Sequence, residues 1–344
     1  MPCKALTHQK VLGRSMVSER HSIWRRGGIA VPVAFCIMPF LAMQPTLAAV
    51  GVVAPAAFLP ALEATPQTLQ GLLDNAAPGD VIHLVPGDYA EIRLGQRDWS
   101  PAVTVEAGTA RLRGVVMSDV AGLSWHGGIF DGGNIVRNGI NITRGRRLSI
   151  EKVSFTRYLR NGIGLSEVSD ARVIGNSFSE MGSDGIDIAL SRRIFVDGTR
   201  CHDFKPTPGA HADCIQLWSR PNAPPTADIT IINTVAAGDM QGVTAFNHVR
   251  NGVDDGGFDR IIFANNDIRI TYAQAVSLYD CRDCIARDNF VDTWPQAHNR
   301  ARVVVQGNSS VMQCGNVIKT FPDLPGQQPC SAPLQLPGAA LPPA

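Results

Sequence analysis

From residue 138 onward, apolar and polar positions alternate in short bursts. The burst recurs seven times: Asn138-Gly139-Ile140-Asn141-Ile142, Asn161-Gly162-Ile163-Gly164-Leu165, Asp184-Gly185-Ile186-Asp187-Ile188, Asp213-Cys214-Ile215-Gln216-Leu217, Gln241-Gly242-Val243-Thr244-Ala245, Gln274-Ala275-Val276-Ser277-Leu278 and Ala301-Arg302-Val303-Val304-Val305. Alternation with period two is the mark of a half-buried strand. The second positions fall at 139, 162, 185, 214, 242, 275 and 302, giving spacings of 23, 23, 29, 28, 33 and 27 residues. The basic period is therefore 23 residues with additions. A second marker keeps step, a polar residue two before an inward apolar one: Asn176/Phe178, Thr199/Cys201, Asn233/Val235, Asn266/Ile268, Asn289/Val291 and Asn316/Ile318. Two phased strands per repeat, joined by Gly, Asn and Asp turns, predict an all-β solenoid of about ten stacked parallel coils, about 4.8 Å apart.

Composition fits such a body, with 44% hydrophobic residues, 33 Gly and 6% aromatic residues in 344. The N-terminus departs from it. Arg25 and Arg26 precede the apolar run Ile29 to Met43, and Thr46-Leu47-Ala48-Ala49 offers a small-residue cleavage site, so residues 1–48 read as a signal peptide, with Met16 an alternative start. A membrane anchor is the rival reading, but the run is shorter than the roughly 20 residues a span needs. Residues 1–48 carry six Lys/Arg and one Glu, so cleavage leaves 25 basic against 29 acidic residues, net −4. That balance excludes a basic nucleic-acid binder, and the expectation is a secreted or periplasmic monomer with no stable membrane span after cleavage.

Six cysteines remain, an even number that favours disulfides in an exported chain. Cys314 and Cys330 are expected to staple the C-terminal end. Cys281 and Cys284 are either a local bridge or a redox pair. Cys201 is either a buried thiol or bonded to Cys214.

After a linker at 49–64, Thr65-Pro66-Gln67-Thr68 reads as a helix start with Pro at the first position, leading into Leu69 to Asn75. Pro78-Gly79-Asp80, an apolar strand and Pro86-Gly87-Asp88-Tyr89 follow. This succession resembles the opening segment of the secreted right-handed parallel β-helix (pectin lyase-like) enzymes, the pectate lyase and chondroitinase/alginate lyase type. The resemblance implies a right-handed single-stranded parallel β-helix over residues 65–321, with an N-terminal helix capping the open core, and a Pro-rich tail at 322–344.

Departures from the 23-residue period cluster. The loops Phe204–His211, Ser219–Thr226, Asn247–Phe258 and Trp294–Asn299 all border the strands 213–218, 241–246, 274–279 and 301–306, and are expected to wall a groove floored by those strands. If Ile215 and Leu217 point inward, Gln216 and Trp218 point out, as do Thr244, Phe246, Ser277 and Tyr279 on later coils. Trp218, Phe246 and Tyr279 then form a column suited to stacking on sugar rings. The alternative is that these rings pack beneath the inserted loops as a satellite core.

Polar groups gather beside the column: Asp184, Asp187, His202, Lys205, His211, Asp213, Gln216, Arg220, His248 and Arg250. Ser183-Asp184-Gly185-Ile186-Asp187 and Asp213-Cys214-Ile215 also look like parts of the polygalacturonase-type pattern, which implies acid and base on Asp184 and Asp213. Ala212 and Gln241-Gly242-Val243 depart from that pattern. β-Elimination on a uronic-acid polysaccharide uses more of the cluster. The expected catalytic set is His211 or Lys205 as base, Arg220 or Arg250 as carboxylate neutraliser, with Asp187 and Asp213. Gln216, Trp218, Phe246, His248, Arg250 and Tyr279 would bind the acidic polysaccharide. Asp184, Asp187 and Asp213 would carry Ca²⁺ if a cofactor is used. C5-epimerisation begins with the same proton abstraction, and a non-catalytic polysaccharide-binding β-helix is a third reading.

Overall fold

In a computed structural model, residues 61–295, 297, 299–319 and 327–336 are described; the signal-peptide reading and residues 49–60 of the linker lie outside them. Each coil carries three strands. In one coil these are Asn161–Ser166 on a first face, Ser169–Ile174 on a second and Ser177–Ser179 on a third.

The seven units share one register on the first face. Ile140, Ile163, Ile186, Ile215, Val243, Val276 and Val303 pair successively in parallel, and the ladder continues back through Val115 to Ile92. On the second face Leu62, Ile82, Val105, Trp125, Ile150, Val173, Val196, Ile231, Phe263, Ala286 and Gln313 form a continuous ladder of about 11 coils. The third face stacks rings: Phe155 lies 5.1 Å from Phe130 and 5.0 Å from Phe178 by ring centroid, all fully buried.

That stack explains the glycine of the repeat. A Cβ at Gly139 would sit 2.7 Å from the Phe155 ring, and one at Gly162 would sit 2.5 Å from the Phe178 ring. Only a residue without a side chain lets the first face close over the aromatic stack.

Buried turn residues satisfy the backbone between coils. Asn176 accepts from the Val153 N–H at 2.9 Å and donates to the Ile150 carbonyl at 2.9 Å. Asn266, Asn289 and Asn316 form an amide ladder with side-chain bonds of 2.9 and 2.8 Å. The marker expected at Asn233/Val235 lies one residue further on. Asn233 bulges outward at φ 55° and donates to Asp197, while Thr234 takes the buried slot and Ala236, not Val235, pairs with Cys201 and Ile268. In that slot the Thr234 backbone N–H donates to Asn266 Oδ1 at 2.9 Å.

At the N-terminal end, Leu62–Ala64 is a strand paired with 82–84 rather than linker. The helix is short, Leu69–Asp74, with Thr68 as its N-cap, so Pro66 sits in the preceding turn and not at the first helical position. Leu69 and Leu73 enter the core, and the Gln70 amide exchanges hydrogen bonds with the Arg93 backbone, standing in for a missing neighbouring strand. In the tail, Gln327 and Gln328 bond to the backbone of the last turn, and Leu334 and Leu336 pack on Ile232, Ile262 and Ala264. Disulfides join Cys201 to Cys214, Cys281 to Cys284 and Cys314 to Cys330. No helix among the described residues is long and apolar enough to cross a membrane.

Candidate functional site

Strand alternation sets two outward rows along the first face. The fourth position of each unit gives the row Asn141, Gly164, Asp187, Gln216, Thr244 and Ser277, each in register with the next. Two residues on, Thr143, Ser166, Ala189 and Trp218 form the second row. From residue 213 the inserted loops cover the first row, leaving Gln216, Thr244 and Ser277 no more than 1% exposed. On the three preceding coils the side chains are small, and an open groove of about 550 Å³ remains.

The groove therefore lies one step before its expected place. Its floor comes from strands Asn138–Thr143, Asn161–Ser166 and Ile186–Ala189, not from 213–306, and Trp218 ends it. Arg220 from the 219–226 loop and Arg250 and Asp255 from the 247–258 loop still wall it, with Arg160 on the other lip. Arg250 sits on a small hairpin, Val249–Arg250 against Val253–Asp254.

The aromatic column is split. Trp218 stacks on His248 of the inserted loop, centroids 5.9 Å apart and planes at 18°, whereas Phe246 and Tyr279 pack on each other at 5.0 Å outside the groove lining. His248 Nδ1 stands 3.5 Å from Asp255 Oδ2. The loop has used one face of the indole, which leaves its edge to Asp187.

Asp187 is the carboxyl at the centre of the floor. Trp218 Nε1 donates to its Oδ1 at 3.4 Å and Asn161 Nδ2 donates to its Oδ2 at 3.0 Å. Burial raises its pKa to about 6, against the Trp218 hydrogen bond and the positive charge of Arg160, which pull the other way. Gly164 makes room for this arrangement: a Cβ there would lie 2.8 Å from Asn141 Oδ1 and 2.9 Å from Asn161 Nδ2.

Asp184 and Asp213 are close enough to interact with Asp187 but do not line the groove. Asp184 Oδ1 accepts the Asp213 N–H at 2.8 Å, and burial, followed by the charges of Asp187 and Asp213, raises its pKa well above the carboxylate range. Asp213 is wholly buried and accepts from Thr244 Oγ1 at 2.6 Å. Its other oxygen stands 3.8 Å from Nδ1 of the exposed His211, whose pKa it raises, while burial raises its own. One oxygen of Asp184 is thus taken by a backbone N–H and one of Asp213 by Thr244, while the Asp184 and Asp187 carboxyls lie within hydrogen-bonding reach of each other. Among the described residues no group of three or more His, Cys, Asp or Glu side chains could hold a metal ion, so the expected Ca²⁺ set does not fit.

Lys205 is ion-paired to Glu180 at 2.6 Å, and His202 Nδ1 lies within hydrogen-bond distance of Asp203 Oδ2 at 2.8 Å; neither lines the groove. Of the expected site residues, the structure brings together Asp187, Trp218, Arg220 and Arg250, backed by His248. Gln216 is buried beneath the loops, its Nε2 without a hydrogen-bond partner among the described residues. The sequence reading passed over Asn138, Asn141, Asn161, Gly164 and Arg160. Asn138 and Asn161 hold the same slot of the repeat as Asp184 and Asp213, so the alignment contained them; Arg160 has no such signal.

No known protein-family description matches the chain, and no curated protein matches it in sequence. Solved structures do match. The A-module of the mannuronan C-5 epimerase AlgE4 from Azotobacter vinelandii is 14% identical, with a TM-score of 0.51 over 75% of this chain and 85% of that one. The endo-xylogalacturonan hydrolase from Aspergillus tubingensis is 12% identical, with a TM-score of 0.50 over 74% and 92%. PfbA, a surface adhesin of Streptococcus pneumoniae, is 10% identical, with a TM-score of 0.50 over 75% and 91%. At such identities the likeness speaks for the fold alone: the chain is a right-handed parallel β-helix of the pectin lyase-like kind.

Proposed function

We propose that this protein is an exported polysaccharide lyase that cleaves a uronic-acid polysaccharide by β-elimination in the groove over Asp187. One observation carries the reading: Arg160, Arg220 and Arg250, none in an ion pair among the described residues, line one open groove together with Asp187, a buried carboxyl of raised pKa. Unpaired arginines recognise carboxylates, and they neutralise the charge that builds on a uronate carboxyl as its neighbouring C–H bond breaks. A carboxylate titrating near 6 is a stronger base than an ordinary one and is still ionised at neutral pH.

In the reaction, Arg220 and Arg250 hold the uronate carboxylate, and ionised Asp187 removes the proton from C5. The electron pair becomes the C4–C5 double bond as the C4–O bond breaks, and the proton on Asp187 passes to the departing oxygen. Asn161 and Trp218 fix the base through their hydrogen bonds to it. The hydrolytic alternative needs two carboxyls facing the glycosidic bond, and of Asp184, Asp187 and Asp213 only Asp187 lines the groove. Three disulfides suit the oxidising compartment that an exported chain reaches.

The test is incubation of the purified protein with alginate, pectate and glycosaminoglycans, followed by the ultraviolet absorbance of unsaturated uronates. Absorbance that is lost in Arg220→Ala and Arg250→Ala supports the reading. Reducing ends without absorbance mean hydrolysis, and altered uronate stereochemistry without cleavage means epimerisation.

A further inference from the structure

The groove is not chemically uniform along the helix axis. Where it meets Trp218, its charged lining is Arg220, Arg250 and Asp255, with Arg160 and Asp187 midway. Three coils earlier, about 15 Å away at 4.8 Å per coil, the lining is Asn138, Asn141 and Thr143, with no charged group. Two cations flank this half in sequence: Arg144 is bound to both oxygens of Asp119 and to Ser118, and Arg137 is not part of the groove lining.

Between the halves lies Gly164, over which the amides of Asn141 and Asn161 lean. Asn161 is only 4% exposed, and its Oδ1 has no hydrogen-bond partner among the described residues. A carboxamide both donates and accepts, which matches a sugar hydroxyl that does the same. A carboxylate placed on this half would lose water without gaining a cation, a costly exchange.

We infer that the substrate is a heteropolysaccharide in which a uronate alternates with, or is flanked by, a neutral sugar: the uronate at Arg220 and Arg250, the neutral sugar on Asn138, Asn141 and Thr143. This rests on the acidic-polysaccharide reading above and narrows it, excluding homopolyuronates as the preferred substrate. A site built to hydrogen-bond hydroxyls discriminates through the groups left unpaired when the wrong residue enters.

The experiment uses the full protein carrying Asp187→Asn, so that binding is measured without turnover, and calorimetry with size-matched oligosaccharides. One set is homopolymeric (oligogalacturonate and oligomannuronate), and the other alternates glucuronate with N-acetylhexosamine. The expected result is at least about tenfold tighter binding of the alternating set. Adding Asn141→Arg, or Thr143→Arg at the strand end should the first fail to fold, is expected to reverse the preference by supplying the missing cation. Equal or tighter binding of homopolyuronates by the Asp187→Asn protein overturns the inference while leaving the acidic-polysaccharide reading intact. Binding of neither set overturns both.

Discussion

Replacing Asp187 with Asn separates the energetic cost of the proposed base from its use. Its carboxyl is raised from 3.8 to about 6 in the folded protein. A raised carboxyl binds its proton more tightly in the folded state, so its stabilising contribution is present below the unfolded value and is lost as pH rises through the folded one. Two pKa units correspond to about 3 kcal/mol, so ionised Asp187 costs the native state about that much above pH 6. The substitution removes the charge but also weakens the bonds from Trp218 and Asn161, worth roughly 1–1.5 kcal/mol. Asn161 limits that loss, because flipping its amide turns its unpartnered Oδ1 toward the new NH₂ group. The net expectation at pH 8 is a gain of about 1–2 kcal/mol, and at pH 4 a small loss. The pH-dependent difference of about 3 kcal/mol corresponds to a melting-temperature change on the order of 5 °C for a body of this size. Thermal melts of both proteins at the two pH values read this directly, while product absorbance reports the expected loss of activity. An equal melting-temperature shift at pH 4 and pH 8 refutes the reasoning.

Four further outcomes are expected. Gly164→Ala leaves the melting temperature within about 2 °C, since its Cβ meets only side-chain ends, but lowers kcat/KM by about tenfold as Asn161 is pushed off Asp187. Phe155→Ala, which empties the middle of the Phe130–Phe155–Phe178 stack, costs about 3–5 kcal/mol in denaturant unfolding without altering the groove. Activity on a uronate polymer rises with pH through about 6 as Asp187 ionises, in a pH profile of kcat/KM. Cys201→Ala/Cys214→Ala, removing a bridge between residues 13 apart, costs about 2–4 kcal/mol.

The fold was legible because its ladder is written at fixed offsets: every residue aligned from Ile140 to Val303 proved to be a register partner of the next. One slip, Asn233 for Thr234, arose because Asn suits both the buried amide slot and a positive-φ bulge, and only the pairing of Ala236 with Cys201 decides between them; another is at the last unit, where a bulge pairs Gln274 with Arg302 rather than Ala301. The site was less legible. Insertions do supply Arg220 and Arg250, but whether a loop lines a groove or lies across it depends on contacts between distant residues. Here His248 reaches Trp218, and the strands beneath are covered. Openness was set instead by the smallness of Gly164, Ser166 and Ala189, of which only Ser166 carries a functional group. Asp184 and Asp213 read as reactive for their type, and their neighbours, a backbone N–H and Thr244, appear only when the coils are stacked.

The central claim is elimination in the arginine-lined groove. The most direct measurement is mass spectrometry of the oligosaccharides released from a uronic-acid polysaccharide in H₂¹⁸O, with their ultraviolet absorbance. The account predicts absorbing, unsaturated ends with no ¹⁸O incorporated, formed by the wild-type protein and lost in Arg220→Ala/Arg250→Ala. Saturated products carrying ¹⁸O contradict it.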